Sequence, residues 1–190
     1  MSTGVKMKWL TVFLKAKDVS VNERKPILLQ FEMGGCGGCK TLYEKTYTDP
    51  QVQQELIDWF VPLKLDLIRD REVRRELAAY WTPSFYFLDH TGKPHFNFNG
   101  YLPPEEFRVV MRLGLAETLI PRGKYDEVLV ALRKDREQLT ASSLFPKLLV
   151  QENITAYIKT KDSGAFRQAM NDLRYTFPNS LEAKLHFWDK

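Results

Sequence analysis

The sequence predicts an α/β fold, a mixed central sheet flanked by helices, followed by an α-helical C-terminal extension. Three observations carry this. Strand-like and helix-like segments follow the order β-α-β-α-β-β-α as far as about Glu117, which calls for strands of both directions with helices on the sheet faces. The only two cysteines fall as Cys36-Gly37-Gly38-Cys39, just after an apolar strand. Beyond Pro121-Arg122-Gly123 the apolar pattern takes helical period. Two domains are read from this, 1–120 and 121–190.

The elements follow in order. Trp9 to Val19 reads as a short helix or a strand leading into one, broken across Asn22 to Pro26 before the strand Ile27 to Phe31. A helix follows the cysteines, covering Lys40 to Tyr47. Asp49 then caps a second helix whose first position is Pro50. Val61, Leu63, Leu65 and Leu67 alternate with Lys64 and Asp66, the period of a strand, with Pro62 at its start or edge. Asp70 to Tyr80 reads as a charged amphipathic helix with Val73, Leu77 and Tyr80 on one side. Ser84 to Asp89 and Pro94 to Phe98 form a hairpin across His90-Thr91-Gly92-Lys93, with Phe85, Phe87, Phe96 and Phe98 as core and His90 and His95 toward solvent. Pro103-Pro104-Glu105-Glu106 opens the closing helix.

Composition narrows the function classes. With 44% apolar and 13% aromatic residues the chain holds enough material for a packed core. The net charge of +4 is spread, since bases and acids interleave along Arg69 to Glu76 and Arg133 to Glu137. That is the pattern of solvated helix faces, so no specific nucleic-acid role is expected. The apolar run Trp9 to Leu14 is too short for a signal h-region and is followed by Lys15 and Lys17. No stretch approaches the roughly 20 apolar residues that span a bilayer. A soluble, cytoplasmic chain without membrane contact is expected, or a periplasmic one if a leader has been removed.

The cysteine spacing carries the chemistry. Three positions is the separation one helical turn brings together, and Cys36 would stand where the helix begins, so free N–H groups and the helix dipole favour its thiolate. Alternatives remain at this point: a structural pair, half of a zinc site, or an iron-sulfur or soft-metal site shared between two chains. A closed zinc site needs four ligands, whereas His90, His95 and His186 are dispersed.

The strand, the Cys-Gly-Gly-Cys helix start, Trp81-Thr82-Pro83-Ser84 leading into Phe85-Tyr86-Phe87, the hairpin, Gly100 and the closing helix together resemble the thioredoxin superfamily over roughly residues 5–118. The resemblance implies a thiol-disulfide oxidoreductase of cell redox homeostasis, acting on protein disulfides and served by a redox partner. It implies Cys36 as nucleophile and Cys39 as resolving thiol, with no metal and no cofactor beyond their redox-active disulfide. Pro83 matches the family's cis-proline beside the dithiol, and the Thr82 backbone would pair with an extended substrate segment.

Three positions depart from that pattern. Gly35 stands where tryptophan is usual, Gly38 replaces a proline, and Gln30 falls where a buried aspartate often assists proton transfer. Glu32, two residues on and on the same strand face, is the candidate proton acceptor for Cys39, the alternative being a solvated strand-end carboxylate. Trp81 either supplies the missing aromatic wall beside the dithiol, with Gly35 leaving substrate room there, or is a core residue.

In the extension, Lys124 to Gln138, Ser143 to Lys159, Ser163 to Thr176 and Ser180 to Trp188 read as helices, with Asp162 or Ser163 capping the third. They are loosely similar to tetratricopeptide-like hairpins and suit a partner-binding groove, a dimer surface or a cap on the redox domain. The alternatives to an enzyme are therefore a metal or iron-sulfur binding module, or an adaptor that recruits a partner through this extension.

Overall fold

The computed structural model describes residues 8–185. The chain divides into two compact units, residues 1–118 and 119–190. The predicted helix 180–188 extends beyond the described residues.

The first unit is built on α1 (Phe13–Glu23), β1 (Ile27–Glu32), α2 (Gly37–Thr41), α3 (Pro50–Trp59), β2 (Val61–Asp66), α4 (Arg71–Glu76), β3 (Ser84–Leu88), β4 (Pro94–Asn99) and α5 (Pro104–Leu119). The strand order is β2-β1-β3-β4. β1 runs parallel to β2 and antiparallel to β3, and β3 runs antiparallel to β4. The sheet is mixed, as its element order demands. Leu10 adds one parallel bridge beyond β2, opposite Leu63.

Alternation assigns the two sheet faces. Ile27, Leu29 and Phe31 join Val61, Leu63, Leu65, Tyr86 and Leu88 in one core, against which Phe13, Val19, Val73 and Leu77 pack from α1 and the α4 segment. On the other face Phe87 meets Phe60 and Phe85 meets Phe107. α5 comes so close here that a Cβ added at Gly114 would lie 2.2 Å from the Phe87 ring, which only glycine permits. The α3 start follows its sequence signature: Asp49 Oδ1 accepts from the N–H groups of Gln51 and Val52, each at 2.9 Å, ahead of Pro50.

α3 and α5 are also joined by buried charge. Glu55 accepts from Arg108 at 2.7 Å and from Arg112 at 2.8 Å, and the Arg112 guanidinium lies over the Trp59 ring. All three charged side chains are at least nine-tenths buried, and each guanidinium is compensated by the same carboxylate.

Four local expectations change. The helix expected to reach Tyr80 stops at Glu76, because Ala78 turns into the left-handed region (φ 51°), and Tyr80 becomes 74% exposed instead of packing with Val73 and Leu77. Phe96 and Phe98 are half-buried, since β4 is an edge strand with one neighbour. His90 is exposed, whereas His95 is partly covered and bonded at 2.9 Å to Asp89. Burial of Asp89 works against its ionisation, yet the bonds from His95, Thr91 and the Lys93 N–H outweigh it and hold the carboxyl well below the usual range. Finally, the helix over Lys40 to Tyr47 is not regular. α2 ends at Thr41 and a π-helical turn spans Leu42–Thr46, closed by the Tyr47 N–H on the Leu42 carbonyl at 2.8 Å.

The second unit contains α6 (Tyr125–Arg133), α7 (Phe145–Thr160), α8 (Ser163–Thr176) and α9 (Leu181–Lys184). Lys124 to Gln138 is not one helix: Lys134 leaves the helical region, Asp135 turns left-handed, and Arg136–Leu139 forms a 3-10 turn. Val128, Leu129 and Leu132 of the expected stripe are buried. Asp162 caps α8 by accepting from the Ala165 N–H at 2.9 Å. Val150, Met170, Leu173 and Ala183 form the buried cluster of α7 to α9.

Candidate active site

The two cysteines lie beyond the carboxyl end of β1. The chain leaves Glu32, passes Met33 and two glycines, and enters α2 with Cys36 as its N-cap residue. Gly35 takes a left-handed conformation (φ 77°), which makes this turn possible without strain. The Cys36 N–H donates to the Met33 carbonyl, and the Cys36 sulfur accepts from the Cys39 N–H at 3.1 Å. The two cysteines are joined as a disulfide with their Cα atoms 5.3 Å apart. Cys36 is half-buried and Cys39 is 5% exposed, so the two sulfurs differ in access.

The Thr82–Pro83 peptide bond is cis, and its proline ring lies against the dithiol turn. A Cβ at Gly38 would sit 2.8 Å from Pro83 Cδ and 3.6 Å from Tyr101 Cβ, so position 38 is glycine for want of space. Gly34, Gly35 and Gly37 have nothing within 4 Å of an added Cβ, which leaves the approach to Cys36 open. The Pro83 carbonyl accepts from the Gly100 N–H at 2.8 Å, fastening the loop to the end of β4. Trp81 is 58% exposed, which removes the reading of it as a core residue. Thr82 is half-buried.

Glu32 is not a free strand-end carboxylate. Tyr43, in the π turn, donates to its Oε2 at 2.7 Å, and Lys64 Nζ lies 3.6 Å from its Oε1. Lys64 also donates to the Tyr43 oxygen at 2.9 Å and sits over the Tyr43 ring. Burial first, then the hydrogen bond and charge of Glu32, push the Tyr43 phenol well above its ordinary value. Next along the strand, the wholly buried Gln30 accepts from the Tyr47 hydroxyl, and burial pushes that phenol up as well.

Sequence reading missed Tyr43, Tyr47 and Lys64. One signal was present, the tyrosines standing four and eight residues after Cys39; that Lys64 lies beside Gln30 is visible only in the β1–β2 register. Among the described residues no group of three or more His, Cys, Asp or Glu side chains is placed to hold a metal ion. No helix of the described residues is long and apolar enough to cross a membrane.

A family model for the thioredoxin-like domain matches residues 13–114, more than half of the chain. The chain belongs to the thioredoxin-like family. Two curated relatives agree. This thioredoxin-like chain is 28% identical over 92 residues to a thiol:disulfide interchange protein DsbD of Photorhabdus laumondii, covering 45% of the chain and 16% of that protein. It is 26% identical over 122 residues to the chloroplastic thioredoxin-like protein HCF164 of rice, covering 64% of the chain and 46% of that protein. The match thus spans less than half the length of either relative. Among solved structures, a thioredoxin from Thermus thermophilus superposes with a TM-score of 0.52 at 20% identity, over 57% of this chain and 87% of that one. The DsbH oxidoreductase does so with a TM-score of 0.50 at 16% identity, over 59% and 86%. These two likenesses concern the fold.

Proposed function

We propose that the chain is a thiol-disulfide oxidoreductase that exchanges the Cys36–Cys39 dithiol with disulfides of other proteins. One observation carries the reading: Cys36 is only half-buried at a helix start with its sulfur bonded to a backbone N–H, while Cys39 is buried one turn on. Family membership supports it, and a relative is by name a thiol:disulfide interchange protein.

The chemistry follows from that asymmetry. A backbone donor and the helix start favour the Cys36 thiolate, which attacks a substrate disulfide and expels one substrate sulfur. A mixed disulfide results. Cys39 loses its proton, attacks the Cys36 sulfur and expels the second substrate sulfur, leaving the chain oxidised and the substrate reduced. The reverse direction holds when the partner is the stronger reductant. No cofactor beyond the dithiol is required.

Glu32 is the proposed proton acceptor for Cys39, because Gln30, deeper on the same strand face, has no group that titrates. The Thr82 backbone would pair with an extended substrate segment, and the exposed Trp81 ring with the open Gly35 would border it. The helical unit is a candidate protein-contact surface.

The test is insulin reduction by the full chain with a chemical reductant as donor. Cys36→Ser should abolish turnover, and Cys39→Ala should accumulate a mixed disulfide that a thiol reductant releases. Two thiols that resist alkylation and never join under mild oxidant would overturn the reading, as would a coloured, metal-loaded purified protein without reductase activity.

A further inference from the structure

We infer that Tyr43, four residues beyond Cys39, is a positioning residue for the exchange reaction, its hydroxyl holding the Glu32 carboxylate and coupling it to Lys64; this rests on the role proposed for Glu32. The argument begins with the bonding capacity of one phenol. A tyrosine hydroxyl donates once and accepts twice. Tyr43 donates to Glu32 and accepts from Lys64. Its donor is therefore used, and two side chains from two neighbouring strands converge on one oxygen.

The π turn is what makes this geometry. A regular helix would close with i to i−4 bonds, whereas here Tyr47 bonds back to Leu42, widening the turn that carries both tyrosines. Tyr43 then bonds to Glu32 while Tyr47 bonds to Gln30, so successive same-face residues of β1 are each engaged by one phenol. Running outward along β1, the charged member of this ladder lies toward the dithiol end of the strand.

Tyr43 itself is a poor proton acceptor and a poor acid, since its phenol is held protonated well above the ordinary range. Its contribution is orientation. The carboxylate it holds also lines a cleft of about 340 Å³ with Lys64, Asp66, Arg69 and Asp70, open to solvent. In the resolving step the Cys39 S–H proton passes to a Glu32 oxygen, the Cys39–Cys36 bond forms as the Cys36–substrate bond breaks, and the substrate leaves as a thiolate. Glu32 then returns the proton to solvent through that cleft.

The experiment mixes the reduced full chain with 5,5′-dithiobis(2-nitrobenzoate) and follows release of two thionitrobenzoate groups. The first phase reports attack by Cys36 and the second reports attack by Cys39. For Tyr43→Phe, which keeps the ring, the ratio of second-phase to first-phase rate should fall about tenfold and its pH profile should change shape. The Glu32→Gln, Tyr43→Phe double variant should be no slower than Glu32→Gln alone, because the two act as one unit. If Glu32→Gln slows the second phase while Tyr43→Phe leaves its rate and pH profile as in the parent, the positioning role is overturned. If Glu32→Gln itself changes nothing, the acceptor role proposed for Glu32 fails first and takes this inference with it.

Discussion

At the scale of single residues, the two glycines between the cysteines are not equivalent. A methyl group at position 38 would meet the Pro83 ring, whereas at position 37 it would meet nothing. Gly38→Ala must move either the dithiol turn or the loop carrying the cis-proline, a strain of about 1–3 kcal/mol. Gly37→Ala fills an unobstructed helix position and should stabilise by up to about 1 kcal/mol. Denaturant unfolding of both oxidised variants checks the opposite signs, and only Gly38→Ala should also slow insulin reduction. The presence of Cys36, Cys39, Thr82 and Pro83 is readable locally, because each belongs to a short motif. The reason for Gly38 is not, because it depends on a ring from a distant loop.

At the scale of elements, regular periodicity was legible and its interruptions were not. The alternation of Val61 to Leu67 and the Asp49-Pro50 signature gave β2 and the start of α3. The left-handed Ala78 that ends the α4 segment and the π turn after α2 have no local marker: Leu77 and Ala79 beside the first pack into the sheet core, and Tyr43 and Tyr47 at the second bond to side chains of β1. For the same reason Tyr43 and Tyr47 read as an ordinary helical pair. The clamp between α3 and α5 is likewise hidden: Glu55, Arg108 and Arg112 resemble surface charges until the two helices meet. Glu55→Gln keeps the size of the side chain and removes the shared negative charge from two buried guanidiniums. A loss of about 3–5 kcal/mol is expected, read as a lower denaturant midpoint at unchanged slope.

At the scale of the whole molecule, the two units differ in how much they bury. β1 and β3 are covered on both faces and nearly every side chain in them is buried, whereas α8 buries only Met170 and Leu173. Helical period revealed the C-terminal helices in sequence, and the same thin stripe sets their local stability. Amides of α8 and α9 should therefore exchange with deuterium at least about tenfold faster than those of β1 and β3. Comparable protection in both units would contradict this ranking.

The buried amide of Gln30 has one more consequence. An aspartate there would change charge as the solution acidifies, and the protein would carry that change in its interior; an amide keeps this buried point of β1 electrically constant. Under the proposed exchange reaction, proton transfer on this strand face is then left to Glu32 at its half-buried end.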